Sequence, residues 1–222
     1  MSRKRTAILI SGRGSNMTAL IEASRDARYP AEIALVLSNR PDAAGLQRAA
    51  EAGIATAIVD HKAYGKDRAA FEHALQEVLT AHRIELVCLA GFMRILTAWF
   101  VAQWPERMLN IHPALLPAFK GLDTHRRALE AGVREHGATV HFVVPEMDSG
   151  PIIARARVPV LPDDTEDALA ARVLAMEHRI YPLALKLVAS GRVQVADGRC
   201  VIAGPCEDED ALFLPGLIKK PR

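Results

Sequence analysis

At about 150 residues per domain, 222 residues predict one domain spanning 1–222, and a chain half hydrophobic and 24% charged is excluded from the disordered class. The 28 Lys+Arg against 26 Asp+Glu leave a net charge of +2, too even for wrapping a polyphosphate, and Cys88, Cys200 and Cys206 lack the C-x-x-C spacing of a zinc or disulfide framework. No apolar stretch of about 18 residues is present to cross a membrane, and the apolar run after the basic start is too short for a signal peptide, so a soluble cytoplasmic protein without nucleic-acid or membrane partners is expected.

In chain order, Thr6–Ile10, Glu32–Ser38, Thr56–Asp60 and Glu85–Ala90 read as buried strands rich in Ile, Leu and Val. Between them lie helical patterns at Asn16–Ala27, Asp42–Ala52 and Lys66–His82, the last with Phe71, Leu75, Val78 and Leu79 on one face. This alternation predicts an α/β fold, Rossmann-like and doubly wound, on a mostly parallel sheet. A fifth strand at Met108–His112 follows. Ala138–Pro145 and Ile152–Leu161, joined around Asp148-Ser149-Gly150-Pro151, predict an antiparallel addition. Thr165–Ser190 reads as a long helix with Thr165 as N-cap, Glu166 and Asp167 in the first turn, and a kink at Pro182. The core is placed at about residues 6–190, and a C-terminal hairpin and tail at 191–222. The hairpin pairs Arg192–Val195 with Arg199–Ile202; Glu207–Asp210 and Lys219-Lys220 read as a solvated tail that closes the sheet edge and then frays.

Three places offer chemistry. Ser11-Gly12-Arg13-Gly14-Ser15-Asn16 joins the first strand to the first helix, where glycines let the backbone approach a ligand and helix N–H groups face an anion. It lacks the Gly-Lys-Ser/Thr of a Walker A loop, and Met17 occupies the third glycine position of a dinucleotide fingerprint. A phosphate-bearing ligand, a dinucleotide met by Arg40, and a plain tight turn all fit this string. Second, Asn110 and His112 share one face of the fifth strand, about 6–7 Å apart, before Pro113 ends it. Together they offer donors for an oxyanion; a strand-end histidine satisfied by a backbone carbonyl is the alternative. Third, Asp148 is either a turn former or a carboxylate that orients His112 and favours its charged form.

His61, His73, His82 and His136 read as surface or packing residues, His125 and His178 fall in helical segments, and His141 reads as a satisfied core residue. No His/Asp/Glu cluster has metal-site spacing, and Cys88 sits in mid-strand, where a thiol is inert.

Four strings in order, Ile8–Asn16, Leu89–Leu96, Asn110–Pro117 and Thr139–Pro151, resemble the phosphoribosylglycinamide formyltransferases over roughly residues 6–200, nearly the whole chain. The resemblance implies transfer of a formyl group from 10-formyltetrahydrofolate, as co-substrate and without metal, to the glycinamide amine in de novo purine synthesis. It implies that Gly14, Ser15 and Asn16 hold the ribosyl phosphate and that Glu177 contacts the glycinamide ribonucleotide. It further implies that Arg68, Met93, Arg94, Ile95, Leu96, Asn110 and the loop Val144, Pro145, Glu146, Met147, Asp148 contact the folate, with Asn110, His112 and Asp148 catalytic. Ala114 stands where Ser is frequent in that family, and Ala118-Phe119-Lys120-Gly121 replaces a Tyr-Pro-Gly variant. A monomer or homodimer acting on small molecules is expected.

A formyltetrahydrofolate deformylase would use the same trio with water, but usually with a regulatory domain ahead of the first strand. A methionyl-tRNA formyltransferase would need an RNA-binding domain after the long helix. A catalytically silent binding protein would need the glycine turn without Asn110, His112 and Asp148 together.

Overall fold

A computed structural model describes residues 2–205 and 207–216. Cys206 and Lys219-Lys220 lie outside the described residues, as does the expected fraying of the last residues. The strands are β1 (Lys4–Ile10), β2 (Ala31–Ser38), β3 (Thr56–Ile58), β4 (Leu86–Leu89), β5 (Met108–His112), β6 (Glu135–Phe142), β7 (Ile152–Pro159), β8 (Val193–Ala196) and β9 (Arg199–Ile202). The helices are α1 (Ser15–Ser24), α2 (Ala44–Glu51), α3 (Arg68–Ala81), α4 (Ala98–Ala102), α5 (Thr124–Glu130), α6 (Glu166–Ala189) and α7 (Asp208–Ala211). The main sheet has the order β3-β2-β1-β4-β5-β6-β7, and β8 pairs with β9 in a separate ribbon. The chain divides into two compact units within β5, one ending at Asn110 and the other beginning at Ile111.

In the first unit, β1 pairs with β2 and β4, β2 with β3, and β4 with β5, all in parallel. Ala7, Ile8, Leu9 and Ile10 are all fully buried, which explains why this strand is a continuous apolar run rather than an alternating one. On α3 the buried face is Phe71, Glu72, Leu75 and Leu79; Val78 is half-buried. Asp67 caps that helix by accepting from Ala70 N at 2.9 Å. The third strand stops at Ile58, because Asp60 accepts from Lys62 N (3.0 Å) and caps a 3-10 turn over His61–Tyr64. The short helix α4 was not predicted; five residues are too few for a helical period to register.

In the second unit, β6 and β7 form the expected antiparallel pair. The sixth strand is shifted toward the N-terminus relative to Ala138–Pro145. Glu135, His136 and Gly137 pair with Pro159, Val158 and Arg157, and Phe142 N donates to Pro151 O (3.0 Å) to close the hairpin. Pro145 has no N–H for a ladder, so the chain leaves the sheet after Phe142. Helix α6 packs on β6 and β7 through a buried face that includes Leu169, Val173, Ile180 and Tyr181. It continues past Pro182 to Ala189. The β8–β9 ribbon turns at Asp197 and Gly198, both left-handed, as a two-residue hairpin requires.

Residues 207–216 are not simply a solvated tail. Phe213 O accepts from Arg155 N on β7 (2.8 Å), the last strand in the sheet order, and Gly216 O accepts from Ile202 N (2.7 Å). This return covers part of a sheet edge that would otherwise present unpaired groups.

The N-cap of α6 is where sequence and structure coincide: Thr165 Oγ1 accepts from Ala168 N at 3.2 Å, with Glu166 and Asp167 in the first turn. Thr165→Ala should therefore lower unfolding free energy by about 1 kcal/mol, read from urea denaturation, and Thr165→Ser should restore most of it.

Candidate active site

Strand order reverses between β1 and β4, and in open parallel sheets ligands gather at the carboxyl ends of strands at such a point. The loops after these two strands, Gly12–Asn16 and Gly91–Leu96, open onto one cleft of about 440 Å³, also bordered by Asn39, Arg40 and His61. Gly14, left-handed at φ 73°, is the N-cap of α1 and makes no side-chain cap bond there, at the helix end whose dipole favours an anion. Gly12 O accepts from Gly45 N on α2 (3.0 Å), and Arg13 O accepts from Arg48 Nη1 (3.2 Å). A Cβ on Gly45 would lie 2.5 Å from Ile10 Cδ1 and 3.1 Å from Gly12 O, so a larger residue there would have to move the Ile10 side chain and crowd the loop carbonyl.

The loop after β4 is fixed at both ends. Ser11 N donates to Gly91 O (3.1 Å) and Met93 N donates to Ser11 Oγ (2.7 Å). At the other end, buried Glu72 of α3 accepts from Thr97 N (2.7 Å) and from Thr97 Oγ1. Between these anchors Met93 and Ile95 are each 65% exposed, Arg94 is half-buried and Leu96 is buried. Arg68 is exposed in the first turn of α3, one helical turn before Glu72, and does not border the cleft. Asn110 lies opposite Leu89 in the β4–β5 register.

In the second unit, His112 Nδ1 is 3.4 Å from Asp148 Oδ2, with both side chains largely buried at 6% and 10% exposure. His112 Nε2 lies 2.9 Å from Phe119 O and donates to it. Asp148 Oδ2 also accepts from Gly121 N (2.9 Å), and Lys120 Nζ donates to Ser149 Oγ (2.6 Å). Phe119, Asp123 and Asp148 all have left-handed backbones, at φ 53°, 56° and 51°, a conformation L-residues adopt at a cost. In the Val144–Asp148 loop, Val144 is half-buried and Pro145, Glu146 and Met147 are exposed.

His141, read from the sequence as a satisfied core residue, is buried and donates from Nδ1 to Phe142 O (2.8 Å). Its Nε2 is also 3.8 Å from Asp148 Oδ1, and burial pushes its imidazole toward the neutral form. His125 and His136 pack edge to face with ring centroids 5.3 Å apart. Burial, then the neighbouring His125, lowers His136 to about 4. Glu177 is buried on α6, beside His178, which burial also pushes down. Thus His112 and Asp148 are brought together, as are Gly14, Ser15, Asn16, Met93 and Arg94. Ser11 and Glu72 carry bonds that no local sequence pattern signalled. Among the described residues no group of His, Cys, Asp and Glu could hold a metal, and no helix is long and apolar enough to cross a membrane.

The chain belongs to the formyl transferase family, whose pattern matches residues 4–185. It is 45% identical to the phosphoribosylglycinamide formyltransferase of Escherichia coli (strain K12), over 89% of this chain and 92% of that one. It is 50% identical to the trifunctional purine biosynthetic protein adenosine-3 of Bos taurus over 88% of this chain, but spans only 19% of that protein. The glycinamide ribonucleotide transformylase 1 structure from Symbiobacterium toebii superposes with a TM-score of 0.88 at 48% identity, covering 91% of this chain and 95% of that one.

Gly45→Ala should push the Gly12–Asn16 loop off α2 and raise the KM of a phosphate-bearing substrate roughly tenfold or more, measured by steady-state kinetics. Between pH 6.5 and about 4 the unfolded chain takes up a proton on His136 that the folded protein refuses, so stability falls as pH falls through that window. Urea unfolding should show a loss of roughly 3 kcal/mol from this group, and His136→Asn should flatten the slope.

Proposed function

We propose that this protein transfers the formyl group of 10-formyltetrahydrofolate to the amine of 5-phosphoribosylglycinamide. The products are formylglycinamide ribonucleotide and tetrahydrofolate, in de novo purine (IMP) biosynthesis. The observation that carries this reading is the buried His112–Asp148 contact, with Asn110 two residues earlier on the same strand. The similarity to proteins named for this reaction supports the choice of substrates.

The ribosyl phosphate sits on Gly14, Ser15 and Asn16 at the start of α1. Within the first unit β4 pairs with both β1 and β5, which sets the end of β1 and Asn110 two strand spacings, about 10 Å, apart. A ribosyl ring carrying a phosphate at one end and glycinamide at the other bridges that span. Arg68, Met93–Leu96, Asn110 and the Val144–Asp148 loop contact the folate, and Glu177 contacts the ribonucleotide. Met93 and Ile95 offer a flat pterin ring the apolar surface that they now expose.

The neutral amine adds to the formyl carbon, and the carbonyl π electrons move onto oxygen to give a tetrahedral intermediate. Asn110 Nδ2 and His112 donate to that oxyanion. The hydrogen on His112 Nε2, held by the Phe119 carbonyl, turns to the oxyanion as the substrate displaces that carbonyl. Asp148 orients the ring through Nδ1 and offsets its positive charge. It also takes the ammonium proton, directly or through water, and passes it to the departing folate nitrogen as the C–N bond breaks. The reaction as written needs neither a metal nor a covalent enzyme intermediate. The protein is proposed to work in the cytoplasm as a monomer or homodimer.

Absorbance of 10-formyltetrahydrofolate should fall only when the ribonucleotide is present; equal consumption without it would identify a hydrolase. His112→Ala and Asp148→Asn should each lower kcat by about 10²–10³, while tetrahydrofolate affinity, measured by calorimetry, changes far less. Near-normal kcat in both variants would refute the assigned roles.

A further inference from the structure

We infer that Ser11 is a positioning residue that sets the phosphate loop and the formyl-donor segment against each other through one hydroxyl. This rests on the formyl-transfer reading above and deepens it. Ser11 is 6% exposed and directly precedes Gly12. Met93 N is a backbone donor, so at 2.7 Å the Ser11 Oγ must accept from it. The single hydroxyl hydrogen must then point elsewhere, and it goes to Asn39 Oδ1 at 2.6 Å. Asn39 is 2% exposed, so water cannot substitute freely for either partner. With the Ser11 N to Gly91 O bond, the residue that opens the phosphate loop also clamps the start of the segment assigned to the donor.

Each of the two loops has a separate anchor on its far side. The phosphate loop is held to α2 at Gly45, and the donor segment is held to α3 by Glu72. Ser11 lies between these anchors and bonds to both loops. If it served only as a loop former, removing its hydroxyl would disturb the phosphate-bearing substrate alone. If it sets the spacing, both substrates lose their geometry at once.

The test is steady-state kinetics on the full chain, with KM measured for glycinamide ribonucleotide and for 10-formyltetrahydrofolate, and Tm recorded for every variant. Ser11→Ala should raise both KM values in parallel, by about tenfold, with a smaller fall in kcat. Gly45→Ala should move chiefly the ribonucleotide KM, and Glu72→Gln chiefly the donor KM. Ser11→Thr, which keeps the hydroxyl, should hold both within roughly threefold of wild type. A Ser11→Ala protein in which only one KM moves, or in which Tm falls with both KM values unchanged, would overturn the inference. Should Ser11→Ala fail to fold, Asn39→Ala removes the acceptor that aims the hydroxyl and must show the same parallel rise. Loss of ribonucleotide dependence in the wild-type protein would overturn the underlying reading and this inference with it. Retained dependence with unpaired KM shifts would overturn the role of Ser11 alone.

Discussion

Parallel strands release their chains at a common edge, and in the first unit this edge is where the order turns back between β1 and β4. Helices that return from neighbouring strands on opposite sides leave a gap there that side chains do not fill. The glycine loop, the Met93–Leu96 segment and Asn110 gather at this edge because their strands end there. The close fit of α2 follows from the same arrangement. A loop that must offer its backbone to a ligand cannot also be shielded by side chains, so it is supported from behind, by Gly45 and Arg48.

The second unit supplies chemistry through burial. His112 has acceptors at both ring nitrogens, Phe119 O and Asp148 Oδ2, whereas the neighbouring imidazoles of His125, His136 and His141 are all driven toward neutrality by desolvation. One imidazole is therefore held at both ring nitrogens, while burial disfavours the charged form of its neighbours. The left-handed backbones at Phe119 and Asp148 are part of how those two acceptors reach the ring.

Much of the first unit could be read directly from residue patterns. Continuous apolar runs gave β1, β2 and β4, and the glycine string lay at the strand-to-helix turn that the sheet leaves open. Thr165 was readable as a cap because its partner lies three residues away. Contacts between distant residues could not be read this way. Ser11 and Met93 are 82 positions apart, and Glu72 and Thr97 are 25 apart, so neither bond leaves a local signature. Short helices such as α4 fell below the length at which a period shows, and the start of β6 was missed because Glu135-His136-Gly137 does not look like a strand until β7 pairs with it. Asn110, His112 and Asp148 stood out from their strand-end positions, but the distance between His112 and Asp148 required coordinates. The nearness of His141 to Asp148 did too, since alternation alone made it an ordinary core histidine.

The carbonyl of Phe119 on His112 Nε2 has a consequence for which small molecules this protein tolerates. A ligand that reaches this nitrogen must remove a good acceptor from a buried N–H and supply another in its place. One that brings a hydrated carbonyl, a carboxylate or an amide oxygen makes that exchange evenly. An isostere that presents a C–H there strands a polar hydrogen in a dry site, at about 1–3 kcal/mol. Medicinal chemistry on this scaffold is thus filtered by an oxygen requirement that belongs to the protein's own backbone, and shape complementarity alone does not satisfy it.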